Sequence, residues 1–343
     1  AKRQNIPKQF KPWPDPLPEQ LPLNKPVDAS YMSGGRLGKE IVINQPIADW
    51  IANAEEKALW GKHDWQTPLP LRASVGVADN PFRAEQRVLA IDLTGDPLVI
   101  FGSSGRGKTT FLKSLLLSLA AERSPHELHM YALDFGRGGL RSIRSLPHCG
   151  ATIDASQPER VAQLLRMVRS LMNERQEKLS KFASLEDYNA RYVDNPDAMF
   201  PAVVVAIDNF AEFKESYEPL MGDLIAMVRD GRAFGIYYVI TANVPQDLNN
   251  KLYNLLTQRI TFTLADTGLY SEIVGKGAVS LLNVPGRGLM NIDGLPLEFH
   301  TAIPIIEGEK DPYTRIAERM EKVWFAIGGK RPAAEIPKAI TLL

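Results

Sequence analysis

A short run of residues, 102–109, constrains this chain more than any other feature. It reads Gly-Ser-Ser-Gly-Arg-Gly-Lys-Thr and satisfies the pattern G-x-x-x-x-G-K-[ST]. An apolar strand is predicted just before it, over Pro97 to Phe101, and leucines at helical spacing follow it. Glycines let such a loop curl so that its N–H groups face an anion, and the helix that follows adds its positive N-terminal end. The run therefore predicts a phosphate-binding loop between a strand and a helix.

Two side chains of this loop have separate chemical roles. The Lys108 ammonium is expected to neutralise the β and γ phosphates of a nucleoside triphosphate. The Thr109 hydroxyl is expected to ligate Mg²⁺, a hard cation that prefers oxygen. The predicted nucleotide-binding residues are the loop itself, the residue after it and one residue further along the chain: Gly102, Ser103, Ser104, Gly105, Arg106, Gly107, Lys108, Thr109, Thr110 and Asn243.

A second chemical signal lies about a hundred residues further on. The apolar run from Ala202 to Ile207 predicts a buried strand, and it ends in Asp208, the Walker B pattern. Together with Thr109, Asp208 is the predicted magnesium ligand.

Many P-loop motors place a glutamate next, as general base for the attacking water, but this chain has Asn209. A neutral amide can orient water but cannot take its proton. Glu212 is a candidate substitute, three residues on, and the hypothesis is good ATP binding with slow or absent hydrolysis.

Two further features leave their roles open. Asn243 follows a predicted strand over Ile236 to Ile240, so it either senses the γ-phosphate or caps the turn before Pro245. A basic loop follows the predicted strand that ends at Asp134. It either faces a partner or a pore, or it is simply solvated, and its basic residues are Arg137, Arg141 and Arg144.

The order of predicted elements gives the fold class. Short apolar strands alternate with segments whose apolar residues repeat at helical spacing, which indicates βαβ units. We therefore predict an α/β fold with a mainly parallel central sheet flanked by helices. A helix is also predicted around Ala48 to Trp60, and the alternation from Val88 to Leu93 predicts an edge strand.

The two ends of the chain differ from this pattern. Residues 1–30 contain seven prolines, which exclude helix and central strand. Apolar residues within it (Phe10, Trp13, Leu17 and Leu21) predict that this stretch packs on the core, although a flexible linker is the alternative. We predict an N-terminal extension over 1–70, an ATPase domain over 71–306, and a C-terminal helix with linker over 307–343. Proline-bearing segments at both ends are typical of a piece of a longer polypeptide.

Charge and composition narrow the function classes. The chain has 40 basic and 40 acidic residues, balanced along its length, whereas a protein that grips a phosphate backbone usually has a basic excess. DNA is therefore a less favoured partner. No apolar run is long enough to span a bilayer, and the single Cys149 fits a reducing cytoplasmic setting. We expect contact with a membrane only through other parts of a parent protein.

Several segments together resemble the FtsK/SpoIIIE motor family, and within it the type VII secretion (EccC/EssC) branch. The resemblance covers roughly residues 70–305. The segments that carry it are Leu133-Asp134-Phe135-Gly136, Leu146-Pro147-His148, Asp208 to Phe213, Gly231 to Ile236 leading into Thr241-Ala242-Asn243, Val75 to Pro81, and Pro285 to Leu289.

This resemblance implies a RecA-like P-loop NTPase fold of the ASCE type, which binds ATP with Mg²⁺. It also implies assembly with neighbouring ATPase modules, in which one subunit gives an arginine to its neighbour's nucleotide. The segment Leu269 to Val274, where family members often carry that arginine, has none, so Arg259 and Arg287 are the stand-ins. The expected function is an ATP-binding module of a protein-export motor that contacts a secreted protein or its C-terminal tail. A DNA translocase is the alternative.

Overall fold

The computed structural model describes residues 14–29, 40–60, 71–192, 194–195 and 198–333. Phe10 and Trp13, which the sequence predicts to pack on the core, lie outside these ranges. Leu17 and Leu21 lie inside them, and both are buried as predicted. No helix of the described part is long and apolar enough to cross a membrane.

The strands, in chain order, are β1 Leu21–Pro22, β2 Pro26–Asp28, β3 Glu40–Val42, β4 Arg72–Asn80, β5 Glu85–Asp92, β6 Leu98–Phe101, β7 Leu128–Asp134, β8 Cys149–Asp154, β9 Ala202–Asp208, β10 Ile236–Ala242, β11 Gln258–Phe262, β12 Arg287–Ile292 and β13 Leu295–Ile303. The helices are α1 Gln45–Ala52, α2 Lys108–Glu122, α3 Pro158–Leu179, α4 Leu185–Arg191, α5 Phe210–Ser216, α6 Met221–Asp230, α7 Asn250–Leu255, α8 Leu269–Val274 and α9 Pro312–Ala326. The predicted order of strands and helices is confirmed.

One central sheet organises the described residues. Its strand order is β5-β4-β13-β12-β11-β6-β10-β9-β7-β8, and β1 pairs with β13 beside this path. The strands from β11 to β8 run parallel, whereas β5, β4, β13 and β12 form an antiparallel extension. The predicted parallel sheet is therefore one half of a larger mixed sheet, and β5 is its edge strand as predicted.

Burial on both faces explains why the parallel strands are so apolar. Every residue of β6 and of β10 is buried. One hydrophobic cluster covers one face of the sheet, with α2 and α9 in it, and a second covers the other face, with α3 and α6. Helices on both faces are what crossover connections between parallel strands produce. The expected α/β class is confirmed.

The helix predicted around Ala48 to Trp60 is shorter in the structure. Helix α1 begins after Asn44, whose side chain accepts the N–H of Ile47 at 2.9 Å, and it ends at Ala52. The segment that follows is held by side-chain bonds instead. Trp60 Nε1 donates to the carbonyl of Ala120 at 2.8 Å, so tertiary contacts replace the helix there.

A proline-rich segment lies across the sheet near its carboxyl edge. We call residues 14–29 the N-terminal strap. Its strand β1 pairs in parallel with the end of β13, with Leu21 opposite Ala302 and Pro22 opposite Ile303. The N–H of Leu23 donates to the carbonyl of Ile303 at 2.8 Å. The strap is therefore an ordered part of the core.

The carboxyl ends of β6, β10, β9 and β7 meet at one edge of the sheet. In open parallel sheets, ligands bind in the crevice outside this edge. The ends of these four strands and the loops that follow them carry, in the same order, the predicted loop 102–109, Asn243, Asp208 and the basic loop. The fold therefore brings the sequence-predicted groups to one place.

Candidate nucleotide-binding site

Close packing explains two glycines of the loop 102–109. Gly107 has φ +112°, and a Cβ there would lie 2.9 Å from the backbone nitrogen of Gly286. A Cβ on Gly102 would lie 2.8 Å from Cβ of Phe262. Only glycine fits either position without a shift of the neighbouring chain. The loop is thus clamped between α2, β11 and the turn before β12.

Helix α2 begins directly after this loop. Gly107 is its N-cap residue, and the first intrahelical bond runs from the N–H of Phe111 to the carbonyl of Gly107 at 2.8 Å. The N–H groups of Lys108, Thr109 and Thr110 belong to the first turn of the helix, where N–H donors have no acceptor within the helix. They present donors and the positive end of the helix to the same space.

The ammonium group of Lys108 lies within the loop. It donates to the carbonyl oxygens of Gly102 and of Ser103, the latter at 3.2 Å, and to Oδ1 of Asn243 at 3.0 Å. Burial lowers the pKa of Lys108, while nearby Asp208 and Asp247 act in the opposite direction. A cation fixed among neutral oxygens in this way is placed to bind an anion.

Thr109 and Asp208 meet as the sequence predicts for a magnesium site. The hydroxyl of Thr109 lies 3.0 Å from Oδ2 of Asp208, and the hydroxyl of Thr241 donates to Oδ1 at 2.6 Å. Burial raises the pKa of Asp208, and the hydrogen bonds from the two threonines lower it. Asp134 adds a further negative charge nearby, which also raises it. This donor set is made of hydroxyl and carboxylate oxygen, which fits Mg²⁺.

The loop after β7 packs directly on this pair. Asp134 folds it back, because its carboxylate accepts the N–H groups of Gly136 at 3.1 Å and of Leu140 at 2.8 Å. A Cβ on Gly136 would lie 2.3 Å from Oδ2 of Asp208, and one on Gly139 would lie 2.7 Å from Cγ2 of Thr109. The site needs these two glycines, which the residue pattern alone did not identify, although Gly136 belongs to the segment that carries the family resemblance.

Asn209, which stands where many motors have glutamate, has a defined structural role. It caps α5 with φ +61°, a left-handed conformation that asparagine adopts more readily than most residues. Its N–H donates to the hydroxyl of Thr241 at 2.9 Å, and its side-chain Nδ2 donates to the carbonyl of Phe135 at 3.1 Å. The amide is therefore held in the wall of the site.

Glu212 does not line the same cavity as Asp208. It is exposed on α5 and lines a neighbouring cavity together with the basic loop. Asn209, Phe135 and Arg137 line both cavities. The predicted substitute base therefore faces this neighbouring cavity and not the cavity of the phosphate-binding loop.

The structure separates the two interpretations of Asn243. Its side-chain oxygen accepts a hydrogen bond from Lys108, whereas the turn before Pro245 is capped by Asp247, which accepts the N–H groups of Asn243 at 2.7 Å and Val244 at 3.1 Å. The cap interpretation of the Asn243 side chain is therefore wrong. Its side chain contacts Lys108 instead, and the γ-phosphate-sensing role stays a prediction.

The guanidinium groups of Arg259 and Arg287 are both engaged inside the chain. Arg259 donates to the carbonyls of Leu256 and Tyr253, at 2.8 and 3.0 Å, and lies over the Tyr253 ring. Arg287 is 5% exposed and pairs with Glu298 at 2.6 Å. A role for either in a neighbour's site would require these contacts to break, and the arginine finger stays a prediction.

Residues of the phosphate-binding loop line a cavity of about 620 Å³ at the carboxyl edge, together with Asp208, Asn209 and Asn243. It is also lined by Glu19, Gln20 and Leu21 of the N-terminal strap, by Pro285 and Gly286, and by His300, Thr301 and Ile303. The cavity size, the free helical N–H groups and the oxygen donors together fit a nucleoside triphosphate with Mg²⁺.

The fold and this site define the class of protein: a P-loop ATPase of the α/β class. Residues 53–302 match the FtsK/SpoIIIE family. The chain belongs to that family.

Comparison with known proteins shows which members of the family this chain is similar to. The ESX secretion system protein EccC of Geobacillus thermodenitrificans is 27% identical over 301 residues, which are 81% of this chain and 20% of that protein. A structure of Thermomonospora curvata EccC (ATPases 2 and 3) in complex with a signal sequence peptide has a TM-score of 0.71 and 26% identity. It covers 80% of this chain and 51% of that one.

The cytoplasmic domain of the Thermomonospora curvata type VII secretion ATPase EccC gives the same TM-score, 0.71, at 26% identity. It covers 80% of this chain and 33% of that one. The chain thus spans about a fifth of the curated relative, and about half and a third of these two solved chains. It is an FtsK/SpoIIIE-type ATPase module similar to those of the type VII secretion motor.

Proposed function

We propose that this chain is an ATP-binding module of a type VII protein-secretion motor, with weak or regulated hydrolysis. The observation that carries the proposal is the geometry around Asp208. A Walker A loop, its lysine and a Thr109–Asp208 pair converge on one cavity in a chain that belongs to the FtsK/SpoIIIE family.

The side chains divide the work of binding. The first turn of α2 and Lys108 would hold the phosphates, and Thr109 and Asp208 would hold Mg²⁺, which neutralises phosphate charge. Asn243 accepts a hydrogen bond from the Lys108 ammonium. A phosphate that replaced the loop carbonyls as partner of this ammonium would therefore also change the contact with Asn243. Asp208 has to be deprotonated for this role, and its hydrogen bonds to Thr109 and Thr241 support that state.

Weak hydrolysis follows from the groups that line the cavity. Among the described residues, its carboxylates are those of Asp208 and Glu19. Asp208 is the proposed metal ligand, and Glu19 belongs to the N-terminal strap rather than to the strand ends that carry the Walker motifs. Asn209 can orient a water molecule but cannot accept its proton, so the position that holds the general base in many P-loop motors has none here.

The type VII assignment rests on similarity to EccC. The relative with a bound signal sequence peptide supports a secreted protein, or its C-terminal tail, as the partner of the whole motor. Neighbouring ATPase modules of the same chain or ring are the other proposed partners. We place the module in the cytoplasm, as part of a membrane-anchored motor; the similar solved chain is a cytoplasmic domain of EccC, which supports the first of these.

Two measurements on the wild-type chain test this proposal. Titration calorimetry with ATP and Mg²⁺ should show binding that EDTA weakens, because the Thr109–Asp208 pair needs the metal. A steady-state phosphate-release assay should give turnover far below one per second. Absence of binding would exclude the ATP-binding role, and turnover near one per second would exclude weak hydrolysis.

A DNA translocase is the second candidate, and one observation favours it. Arg137, Arg141 and Arg144 are exposed beside the nucleotide cavity. Their guanidinium groups make no hydrogen bond or ion pair with any other described residue. A gel shift at low salt decides between the candidates, since a translocase should bind duplex DNA with strong salt dependence. No shift at 50 mM salt would favour secretion.

A further inference from the structure

Part of the lining of the nucleotide cavity comes from a segment outside the P-loop core. Glu19, Gln20 and Leu21 of the N-terminal strap line the cavity together with the phosphate-binding loop. The side chains of Glu19 and Gln20 are exposed, whereas Leu21 is 3% exposed and anchors the strap. The strap therefore brings two polar residues to the cavity lining on an anchored segment.

A continuous set of contacts joins the strap to the phosphate-binding loop. The N–H of Gly286 donates to the carbonyl of Arg106 in the loop at 3.0 Å. The carbonyl of Gly286 accepts both the N–H and the hydroxyl of Thr301, at 2.9 and 3.0 Å. Residue Thr301 precedes Ala302, which pairs with Leu21. The loop, the turn before β12, β13 and the strap thus form one wall.

Arg287 locks the strap onto this wall. Its NH2 donates to the carbonyl of Leu17 at 2.7 Å and to that of Pro18 at 3.1 Å. Its NH1 pairs with Glu298, and its Nε lies 3.3 Å from Nδ1 of His300. A proline-rich segment has few N–H donors with which to join a sheet, so a buried guanidinium that binds its carbonyls is an effective anchor.

We propose that Glu19 and Gln20 bind the ribose and base of the nucleotide, and that Arg287 positions them by anchoring the strap. This inference rests on the proposed ATP-binding function. In this proposal the phosphates lie at Lys108, and the nucleoside lies against the strap, a part of the cavity lining outside the phosphate-binding loop. A carboxylate there accepts hydrogen bonds from ribose hydroxyls, and a side-chain amide both donates to and accepts from a base edge.

The proposal gives the strap a link to nucleotide occupancy. If the bound nucleoside contacts the strap, nucleotide stabilises the docked strap, and the docked strap strengthens nucleotide binding by the same factor. Inorganic tripolyphosphate lacks the nucleoside and is indifferent to the strap. The ratio of ATP affinity to tripolyphosphate affinity therefore isolates this contact from the phosphate-binding loop.

The test compares that ratio in four forms of the full chain, by calorimetry with Mg²⁺. We expect Arg287→Gln and the double variant Glu19→Ala/Gln20→Ala each to weaken ATP about tenfold and tripolyphosphate less than about twofold. Arg331→Gln is the matched control, because Arg331 also binds backbone carbonyls, those of Arg144, Leu146 and Cys149, but away from the cavity. It should leave the ratio unchanged.

The outcomes are distinguishable. An unchanged ratio in the Glu19→Ala/Gln20→Ala variant overturns the strap contact, and that variant decides the matter if Arg287→Gln does not fold. Wild-type chain that binds tripolyphosphate but prefers ATP no more than tripolyphosphate also overturns it. Wild-type chain that binds neither ligand overturns the proposed function, and the inference with it.

Hydrogen exchange provides a second, independent measurement. ATP should slow exchange of the backbone N–H groups in residues 14–29 of the wild-type chain, and tripolyphosphate should not. The effect should be lost in the Glu19→Ala/Gln20→Ala variant. Equal protection of the strap by both ligands would contradict the proposal.

Discussion

The ammonium group of Lys108 is the strongest single determinant of the proposed site. It is partly buried, and it bonds to two loop carbonyls and to Asn243. We expect Lys108→Ala to weaken ATP binding by about tenfold to a hundredfold, since a hydrogen bond to a charged group contributes about 1.5 to 3 kcal/mol. Calorimetry with ATP and Mg²⁺ measures this loss.

A matched control lies on the same helix. Lys113→Ala removes an equal charge from α2, where the Lys113 ammonium packs over the Tyr313 ring rather than in the cavity. ATP affinity should stay within about twofold of wild type. Equal losses in both variants would mean that net charge, and not the position of Lys108, determines binding.

Asn209 determines how fast the bound nucleotide is hydrolysed in our proposal. We expect Asn209→Glu to raise steady-state turnover, because it places a carboxylate where the Asn209 amide lines the cavity. The exchange also has a cost. A residue other than glycine or asparagine in the left-handed conformation at φ +61° loses about 1 kcal/mol of stability. Phosphate release and thermal unfolding measure the two effects.

Asn209→Gln separates the new carboxylate from the longer side chain. It should show a similar loss of stability and no gain in turnover. If Asn209→Gln and Asn209→Glu hydrolyse ATP at the same rate, the missing general base is not what limits hydrolysis.

The loop between β7 and β8 fixes the geometry of the Thr109–Asp208 pair. A Cβ on Gly136 would lie 2.3 Å from Oδ2 of Asp208, so Gly136→Ala should displace the carboxylate. We expect it to weaken Mg²⁺-dependent ATP binding about tenfold, through the proposed metal ligand Asp208 rather than through the loop 102–109. Calorimetry with and without Mg²⁺ distinguishes these two origins.

Gly222→Ala is the control for a glycine-to-alanine change. Gly222 lies in α6 with no atom near the position of a Cβ, so the exchange should stabilise the helix by about 0.5 to 1 kcal/mol. Its ATP affinity should equal that of wild type. Unchanged Mg²⁺-dependent binding in Gly136→Ala would show that the loop does not constrain Asp208.

The sequence predicts those elements whose signal is local. The parallel strands are continuous apolar runs because both faces are buried, and the loop 102–109 has a fixed spacing, so both are confirmed. Contacts between distant residues carry no such signal. The pairing of Leu21 with Ala302, the bonds from Arg287 to the strap and the fit of Gly136 on Asp208 all depend on the folded chain.

The same reason explains where sequence and structure differ. The apolar residues between Ala48 and Trp60 fit a helix, but the bond from Trp60 to the carbonyl of Ala120 holds the end of that segment against α2 instead. Asn243 fits a turn cap by type, yet Asp247 takes that role and leaves the Asn243 side chain to Lys108. In both places tertiary contacts outweigh a local preference.

At the scale of the whole molecule, helix α2 separates the nucleotide site from a second ionisable group of interest, Glu122. This helix begins at Lys108 in the site and ends at Glu122, about 20 Å away along its axis. Burial raises the pKa of Glu122 to about 7, and the charges of Arg123 and Arg72 oppose that shift. A carboxylate at the C-terminal end of a helix is also disfavoured by the helix dipole. Stability at this end can therefore change without any change in the site.

The pKa of Glu122 gives stability a defined pH dependence. Between about pH 4.5, its ordinary value, and pH 7, the folded state binds more protons at Glu122 than the unfolded state does. Its ionisation therefore lowers the free energy of unfolding as pH rises through this window. Glu122→Gln removes the effect, so the variant should be about 1 to 2 kcal/mol more stable than wild type at pH 8 and nearly equal to it at pH 4.5.

Urea unfolding across pH 4.5 to 8 measures this difference, with Glu318→Gln as the control because Glu318 is exposed on α9. The control should track wild type at every pH. ATP affinity of Glu122→Gln should equal that of wild type, since α2 keeps its N-terminal end in place. A stability difference that is constant with pH would contradict a raised pKa, and one that grows at low pH would reverse its sign.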